Sequence, residues 1–306
     1  MNARRVARYR AVMTDGTVAI RDTTYTDAHG VRIHVRVWEA ASPRGVVQLL
    51  HGVGEHSGRY DHVGRALALA GFTTWADDHR GHGRTGLEQH DATARLGTLG
   101  PGGHRAAVAA VHQLTGIIAA AHPDLPLILV GHSWGSLMAQ ILLNEHAEDY
   151  DAAVLIGSAH RTLRHMNGGD LNARHKHLGH TGLEWLSRDE SVHHAFKADP
   201  LTTDRPLLKL FGLPDTMRLL GRPARDFTAD LPLLLMVGAD DPLGGPASIS
   251  HLARDYRDRS GLTDVTVKVY AGARHEILNE TNKDEVIGDL IAWLGLHTDG
   301  HVPGRA

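Results

Sequence analysis

The chain has 306 residues, 42% of them apolar, and a formal net charge of −3 from 32 basic and 35 acidic side chains. A sizeable core is therefore available and global disorder is excluded, and charge this balanced, without long runs of one sign, excludes a nucleic-acid footprint. No cysteine is present, which excludes disulfides and thiolate metal sites.

The opening segment MNARRVARYRAVMTDG is basic but lacks the apolar stretch of a secretory signal. No apolar run reaches the roughly 18–20 residues of a membrane span, so a cytoplasmic protein is expected. TTYTDAHGVRIHVRVWEA, from Thr23 to Ala40, places two β-rich runs around a turn at Asp27–Gly30 and predicts a hairpin. GVVQLLHG, ending at His51–Gly52, reads as a buried parallel strand. YDHVGRALALAG then predicts a helix closed by Gly71, and FTTWADD a strand. HRAAVAAVHQLTGIIAAAH is a long Ala-rich helix that Pro123 ends. PLILVG, SLMAQILLNEHA and AAVLIGSA continue as strand, helix and strand.

The alternation stops after Ser158. From about His160 to Asp226 the pattern gives short helices and loops without strands. It resumes with strand PLLLMVG, helix PASISHLARDYRD, strand VTVKVYAGA and helix DEVIGDLIAWLGLH. Strand–helix alternation predicts an α/β fold with a mostly parallel central sheet flanked by helices. The interruption reads as an inserted helical cap over the carboxyl edge of the sheet. The division expected is residues 1–159 for the first part of the core, 160–226 for the cap and 227–306 for the second part.

Chemistry concentrates where PLILVG ends. Gly131-His132-Ser133-Trp134-Gly135 fits G-x-S-x-G, a nucleophile elbow in which Gly131 and Gly135 give room for a sharp turn around Ser133. A serine nucleophile needs a base, and the base needs an orienting carboxylate. Asp240 and Asp241 follow strand PLLLMVG, and His275 lies in the loop after the last strand, all at the edge that carries Ser133. Asp241 is taken as the acid and His275 as the base. The oxyanion requires backbone donors, assigned to the amides of Trp134 and Val53, whose side chains would line the pocket.

These segments resemble the monoacylglycerol lipases and related bacterial lysophospholipases of the α/β-hydrolase superfamily. HGVGEHSGRY at His51–Tyr60 is similar to their HGxGEHxxRY loop, DDHRGHGRT at Asp77–Thr85 to D-x-R-G-H-G-x-S, and VGHSWGS to VGHSMGG. GADDPLGG resembles their G-x-x-D motif, whose spacing selects Asp241 over Asp240, and GARHEILNE their histidine loop. GLEWLSRDES and KADPL resemble cap segments of bacterial members. The resemblance runs from about Thr24 to Leu296. It implies hydrolysis of a single acyl ester through an acyl-enzyme, without metal or cofactor. One departure is Trp134-Gly135-Ser136 in place of Met-Gly-Gly, closer to proline iminopeptidases, so a bulky Trp134 is expected to narrow the acyl site.

Other polar residues receive structural readings. Glu55 is expected to brace the oxyanion loop rather than pair with His56 as acid and base, and Glu276 and Glu280 to brace the His275 loop. His79 and His82 need no catalytic role. The cap histidines, among them His175, His177, His180, His193 and His194, are expected to be solvated rather than to hold zinc. PLLKLFGLPDTMRLLG, from Pro206 to Gly221, suits either the wall of an acyl pocket or a surface for transient contact with membranes or micelles. The expected function is a serine hydrolase of small amphiphilic esters of the monoacylglycerol or lysophospholipid type, with no nucleic-acid partner. The alternatives are a peptidase, thioesterase or C–C hydrolase with the same triad, and a non-catalytic ligand-binding protein of the same fold.

Overall fold

Strands β1 (Ala19–Thr26) and β2 (Arg32–Glu39) form the expected hairpin, with Ala19 opposite Glu39 and Thr26 opposite Arg32. Asp27 shapes the turn, its Oδ1 accepting from the amides of His29 and Val31 at 2.8 and 2.9 Å. The structure, a computed structural model, describes residues 17–298. The basic segment 1–16 and the last residues of the 227–306 part lie outside the described residues.

The remaining strands are β3 (Gly45–Leu50), β4 (Phe72–Asp77), β5 (Leu127–His132), β6 (Ala152–Ile156), β7 (Leu233–Gly238) and β8 (Val265–Tyr270). They join β1 and β2 in one sheet of order β1-β2-β4-β3-β5-β6-β7-β8. The β1–β2 and β2–β4 pairs are antiparallel; every pair from β3–β4 to β7–β8 is parallel. Side chains alternate between faces, as the two-residue period of a strand requires. In β5, Leu127 and Leu129 enter one core while Ile128 and Val130 enter the other. Both faces are covered, so these strands read as continuous apolar runs.

Helices α1 (Asp61–Leu69) and α8 (Lys283–Thr298) pack on one face through Val63, Leu67, Val286 and Leu290. Helices α3 (Gly103–Ala121), α4 (Trp134–His146) and α7 (Gly245–Asp258) cover the other through Val111, Leu114, Leu142 and Leu252. Helix α2 (Gly83–His90) was not anticipated from the sequence, because glycines interrupt its pattern. Gly83 has φ +54°, and a Cβ there would stand 2.5 Å from Asp78 Oδ2. That same oxygen accepts from the amide of Arg84 and secures the start of the helix.

Between β6 and β7 no strand occurs among the described residues. Helix α5 (Glu190–Ala198) starts on Asp189, whose carboxylate accepts from the Ser191 amide. Helix α6 (Leu207–Met217) is broken at Gly212 (φ 72°, ψ 169°). This segment meets the carboxyl edge of the sheet at several points: Thr203 donates its amide to Gly54 O at 2.8 Å, the Trp185 carbonyl accepts from the His275 amide, and Phe211 packs on Trp134. No helix among the described residues is long and apolar enough to cross a membrane.

The solvated reading of the cap histidines needs correction at two positions. His175 and His193 are buried, and His193 Nε2 lies 2.7 Å from the Ser187 carbonyl, which ties α5 to the preceding loop. A histidine-rich stretch is polar in composition, but an imidazole with one hydrogen-bond partner packs readily against apolar neighbours.

Candidate active site

Strand β5 ends at His132 and α4 begins at Trp134, so Ser133 alone turns the chain. It adopts φ 53°, ψ −122°, a conformation that L-residues seldom hold and that must be imposed by its surroundings. Its amide donates to Ile156 O at 3.0 Å, and its carbonyl accepts from the amides of Ser136 and Leu137 and from Ser136 Oγ at 2.6 Å. The flanking glycines are dictated by close approach. A Cβ on Gly131 would lie 2.6 Å from Gly135 O, and one on Gly135 would lie 2.4 Å from Leu50 O.

The three residues read as nucleophile, base and acid meet here. His275 Nε2 lies 2.8 Å from Ser133 Oγ, and His275 Nδ1 lies 2.9 Å from Asp241 Oδ1. All three are buried or nearly so, with Ser133 the most exposed at 9%. Asp241 Oδ1 also accepts from the Leu243 amide at 2.9 Å. Asp240 is instead half-exposed, with Arg174 at 3.9 Å as an ionic neighbour. The β7 loop thus directs one of two adjacent carboxylates inward.

The loop after β3 runs beside Ser133. Glu55 Oε1 accepts from the Gly52 amide and from the Tyr60 hydroxyl, both at 2.7 Å. The amides of Val53 and Trp134 have no acceptor among the described residues. His56 lies 2.8 Å from Asp199, just past α5, rather than serving Glu55 as an acid–base partner. His51 is fully buried: its Nδ1 lies 2.7 Å from Gly52 O, and its Nε2 accepts from the His79 amide at 3.0 Å. Burial holds its imidazole well below the usual value, in keeping with this neutral tautomer.

Arg59 received no separate role from the sequence, although it is a letter of the HGVGEHSGRY motif. Its guanidinium reaches Glu55 Oε2 at 2.6 Å and grips Glu276 with two bonds of 2.8 Å. One cation, its side chain 10% exposed, therefore joins the loop beside Ser133 to the loop that carries His275. Burial alone would push the Glu55 carboxyl up; the Arg59 charge and the hydrogen bond with His132 hold it well below the carboxylate range. His132 is raised despite its burial, because Glu55 is its hydrogen-bond partner. Glu280 accepts from the amides of Arg274 and Arg188 at 2.9 and 3.0 Å.

Trp134 differs from its expected place. Its indole is 1% exposed rather than lining an open pocket, and it is enclosed by His82, Phe211, His79 and His104 at centroid distances of 4.9, 5.0, 5.4 and 6.1 Å. His79 and His82 thus serve as packing partners, His79 also stacking on His51 at 3.9 Å. The Trp185 ring, from the segment before α5, lies 4.9 Å from His275, a neighbour that no periodicity in that segment announced.

Among the described residues one group, His112, His146 and Asp149, could offer three metal-ligand atoms, and it includes none of the histidines between 160 and 226. The two imidazoles stack at 3.7 Å with an interplanar angle of 10°. An ion cannot lie in both ring planes of such a pair without a rotation of one ring.

A family described as "Serine aminopeptidase, S33" matches residues 41–282. The monoacylglycerol lipase of Mycolicibacterium smegmatis is 34% identical over 294 residues, covering 90% of this chain and 96% of that protein. The monoglyceride lipase of Mus musculus is 28% identical, with 88% of each chain covered. Among solved structures, a thermostable carboxyl esterase from Bacillus coagulans matches with a TM-score of 0.81 at 24% identity, over 92% of this chain and 100% of that one, a likeness of fold. The chain belongs to the α/β-hydrolase family described as serine aminopeptidase S33, and within it to the group that includes the monoacylglycerol lipases.

Proposed function

We propose that the protein is a serine carboxylic-ester hydrolase that cleaves monoacylglycerol-type esters through an acyl-enzyme. The observation that carries this reading is the continuous line from Ser133 Oγ through both nitrogens of His275 to Asp241. Ser133 Oγ attacks the acyl carbonyl while His275 Nε2 takes its proton. Asp241, bonded to Nδ1–H, orients the ring and stabilises the imidazolium. The unpaired amides of Val53 and Trp134 donate to the oxyanion. His275 then protonates the departing alcohol, and water repeats the sequence on the acyl-enzyme to release the fatty acid.

Residues 160–226 act as the cap in this reading. The inner side of α6 buries Leu210 and sets Phe211 against Trp134, whereas Leu208, Leu213 and Met217 are 54%, 63% and 48% exposed. That outer face suits transient contact with a micelle or bilayer that delivers the amphiphile.

The test is Ser133→Ala with a medium-chain monoacylglycerol as substrate. Turnover is expected to fall by several orders of magnitude while the circular dichroism spectrum is unchanged. Retained turnover would refute the assignment of the nucleophile. A wild-type enzyme that prefers prolyl arylamides to monoacylglycerols would refute the substrate class and leave the triad standing.

A further inference from the structure

Arg161, just beyond β6, is 3% exposed, yet it has no carboxylate partner among the described residues. Its Nε donates to Gln140 Oε1 at 3.2 Å and its Nη1 to Leu219 O at 3.1 Å, while Nη2 has no acceptor among the described residues. Burial pulls its guanidinium below the usual value, and the nearby Tyr256 and Glu145 offset this only in part. A buried charge of this kind calls for a counter-ion.

The space beside it supplies room for one. Arg161 lines a groove of about 600 Å³ between α3, α4 and the cap segment 218–222. Arg105, Arg218 and Arg222 also line it, with His104, His112 and His146. Glu145 is the one carboxylate on the lining, and Arg218 is paired with Asp215. Arg105 and Arg222 are exposed and hold no ion pair among the described residues. Arg105 stands in the first turn of α3, where the helix dipole favours an anion. The walls are held in place: Asn144 of α4 donates to Arg222 O at 2.9 Å and accepts from the Ala224 amide at 2.8 Å.

We propose that this groove is a second binding site, which takes the phosphate group of a single-chain amphiphile. Guanidinium forks match the several oxygens of a phosphate. The groove is far larger than one phosphate, and its remaining wall is apolar, formed by Val108, Ile141, Leu142 and Leu220. A free inorganic ion would leave that wall unused; a lipid phosphate covers it with its chain. Neither Ser133, Asp241 nor His275 lines the groove, so the ligand is not placed for hydrolysis there. Bound anion would complete the coordination of Arg161 and fasten cap residues Arg218 and Arg222 to α3.

The test is calorimetric titration with 1-O-dodecylglycerol 3-phosphate below its micellar concentration. Its ether link cannot be cleaved by an esterase, so the outcome is independent of the proposed triad. The neutral 1-O-dodecylglycerol and inorganic phosphate serve as comparators. The phosphate amphiphile is expected to bind at least tenfold more tightly than either. The exposed double variant Arg105→Ser/Arg222→Ser is expected to lower that affinity at least tenfold while leaving binding of the neutral ether and the melting temperature unchanged. Arg161→Gln is expected to act in the same direction; if it does not fold, the double variant decides. Equal affinity for the two ethers, or unchanged affinity in the double variant, would overturn the site. Inorganic phosphate binding as tightly as the amphiphile would overturn the lipid assignment.

Discussion

Trp185 covers His275: its carbonyl accepts from the His275 amide at 3.3 Å, and its ring lies 4.9 Å from the imidazole. The segment before α5 therefore forms part of the wall that holds His275 against Ser133. Replacement by alanine keeps the backbone bond and removes the ring. Trp185→Ala is expected to reduce kcat about tenfold, equivalent to ~1.4 kcal/mol of transition-state stabilisation, with KM for a short soluble ester little changed. Steady-state kinetics separate this from a loss of substrate binding, which would raise KM alone.

Arg59 holds two buried carboxylates, Glu55 and Glu276, from different loops. Arg59→Met would leave both without their cation. Breaking one side of a buried ion pair costs about 3–5 kcal/mol, so a marked fall in melting temperature is expected, together with loss of activity. Glu55→Gln/Arg59→Met/Glu276→Gln removes the charges together and should recover a large part of the stability but not the activity. A thermal melt of the two variants side by side checks both statements.

His82 and His104 are held neutral by burial, each with its pKa lowered to about 4. The unfolded chain takes up these protons near 6.5, the folded protein only near 4. Between those values the unfolded state binds more protons, so stability is full above about pH 6.5 and is lost as the pH falls towards 4. His104→Phe keeps a ring beside Trp134 and Phe211 and removes one titrating group. The melting temperature of this variant is expected to decline less steeply than that of the wild type between pH 6.5 and 4.5. A parallel decline would refute the contribution of His104.

The outer face of α6 gives a separable prediction. Leu213→Ser/Met217→Ser alters two exposed side chains and should leave the fold and the hydrolysis of a soluble short-chain ester unchanged. Hydrolysis of a long-chain monoacylglycerol presented in vesicles should fall several-fold. Equal losses on both substrates would show that the face serves the pocket and not an interface.

Much of this architecture was legible in the sequence because it rests on short-range rules. Short apolar runs such as Leu127–Val130 and Leu233–Val237, each ended by a glycine, fit strands covered on both faces, and Gly131 and Gly135 stand where a Cβ would strike backbone. The order Ser133, Asp241, His275 and their positions after β5, β7 and β8 follow from the same alternation. Trp185 and Arg161 were not legible. Both lie in the stretch without periodicity, and their partners are residues distant in the chain. The setting of Trp134 was hidden for a related reason: His82, His104 and Phe211 come from three separate segments, and only the folded chain brings them round one indole. Helix α2 escaped because Gly83 and Gly86 lower its helical signal.

The contact between Gly54 and Thr203 constrains how the enzyme can move. Gly54, at φ +77°, carries no Cβ, and a Cβ there would stand 2.2 Å from Thr203 O; the Thr203 amide in turn donates to Gly54 O at 2.8 Å. The chain beside Val53 and the chain between α5 and α6 are thus sewn together at backbone level, where no rotamer change can loosen them. A lid hinged at this point would drag the Val53 amide with it. The Val53 amide and the segment between α5 and α6 are therefore coupled in position, and a shift in one is passed to the other through backbone atoms alone.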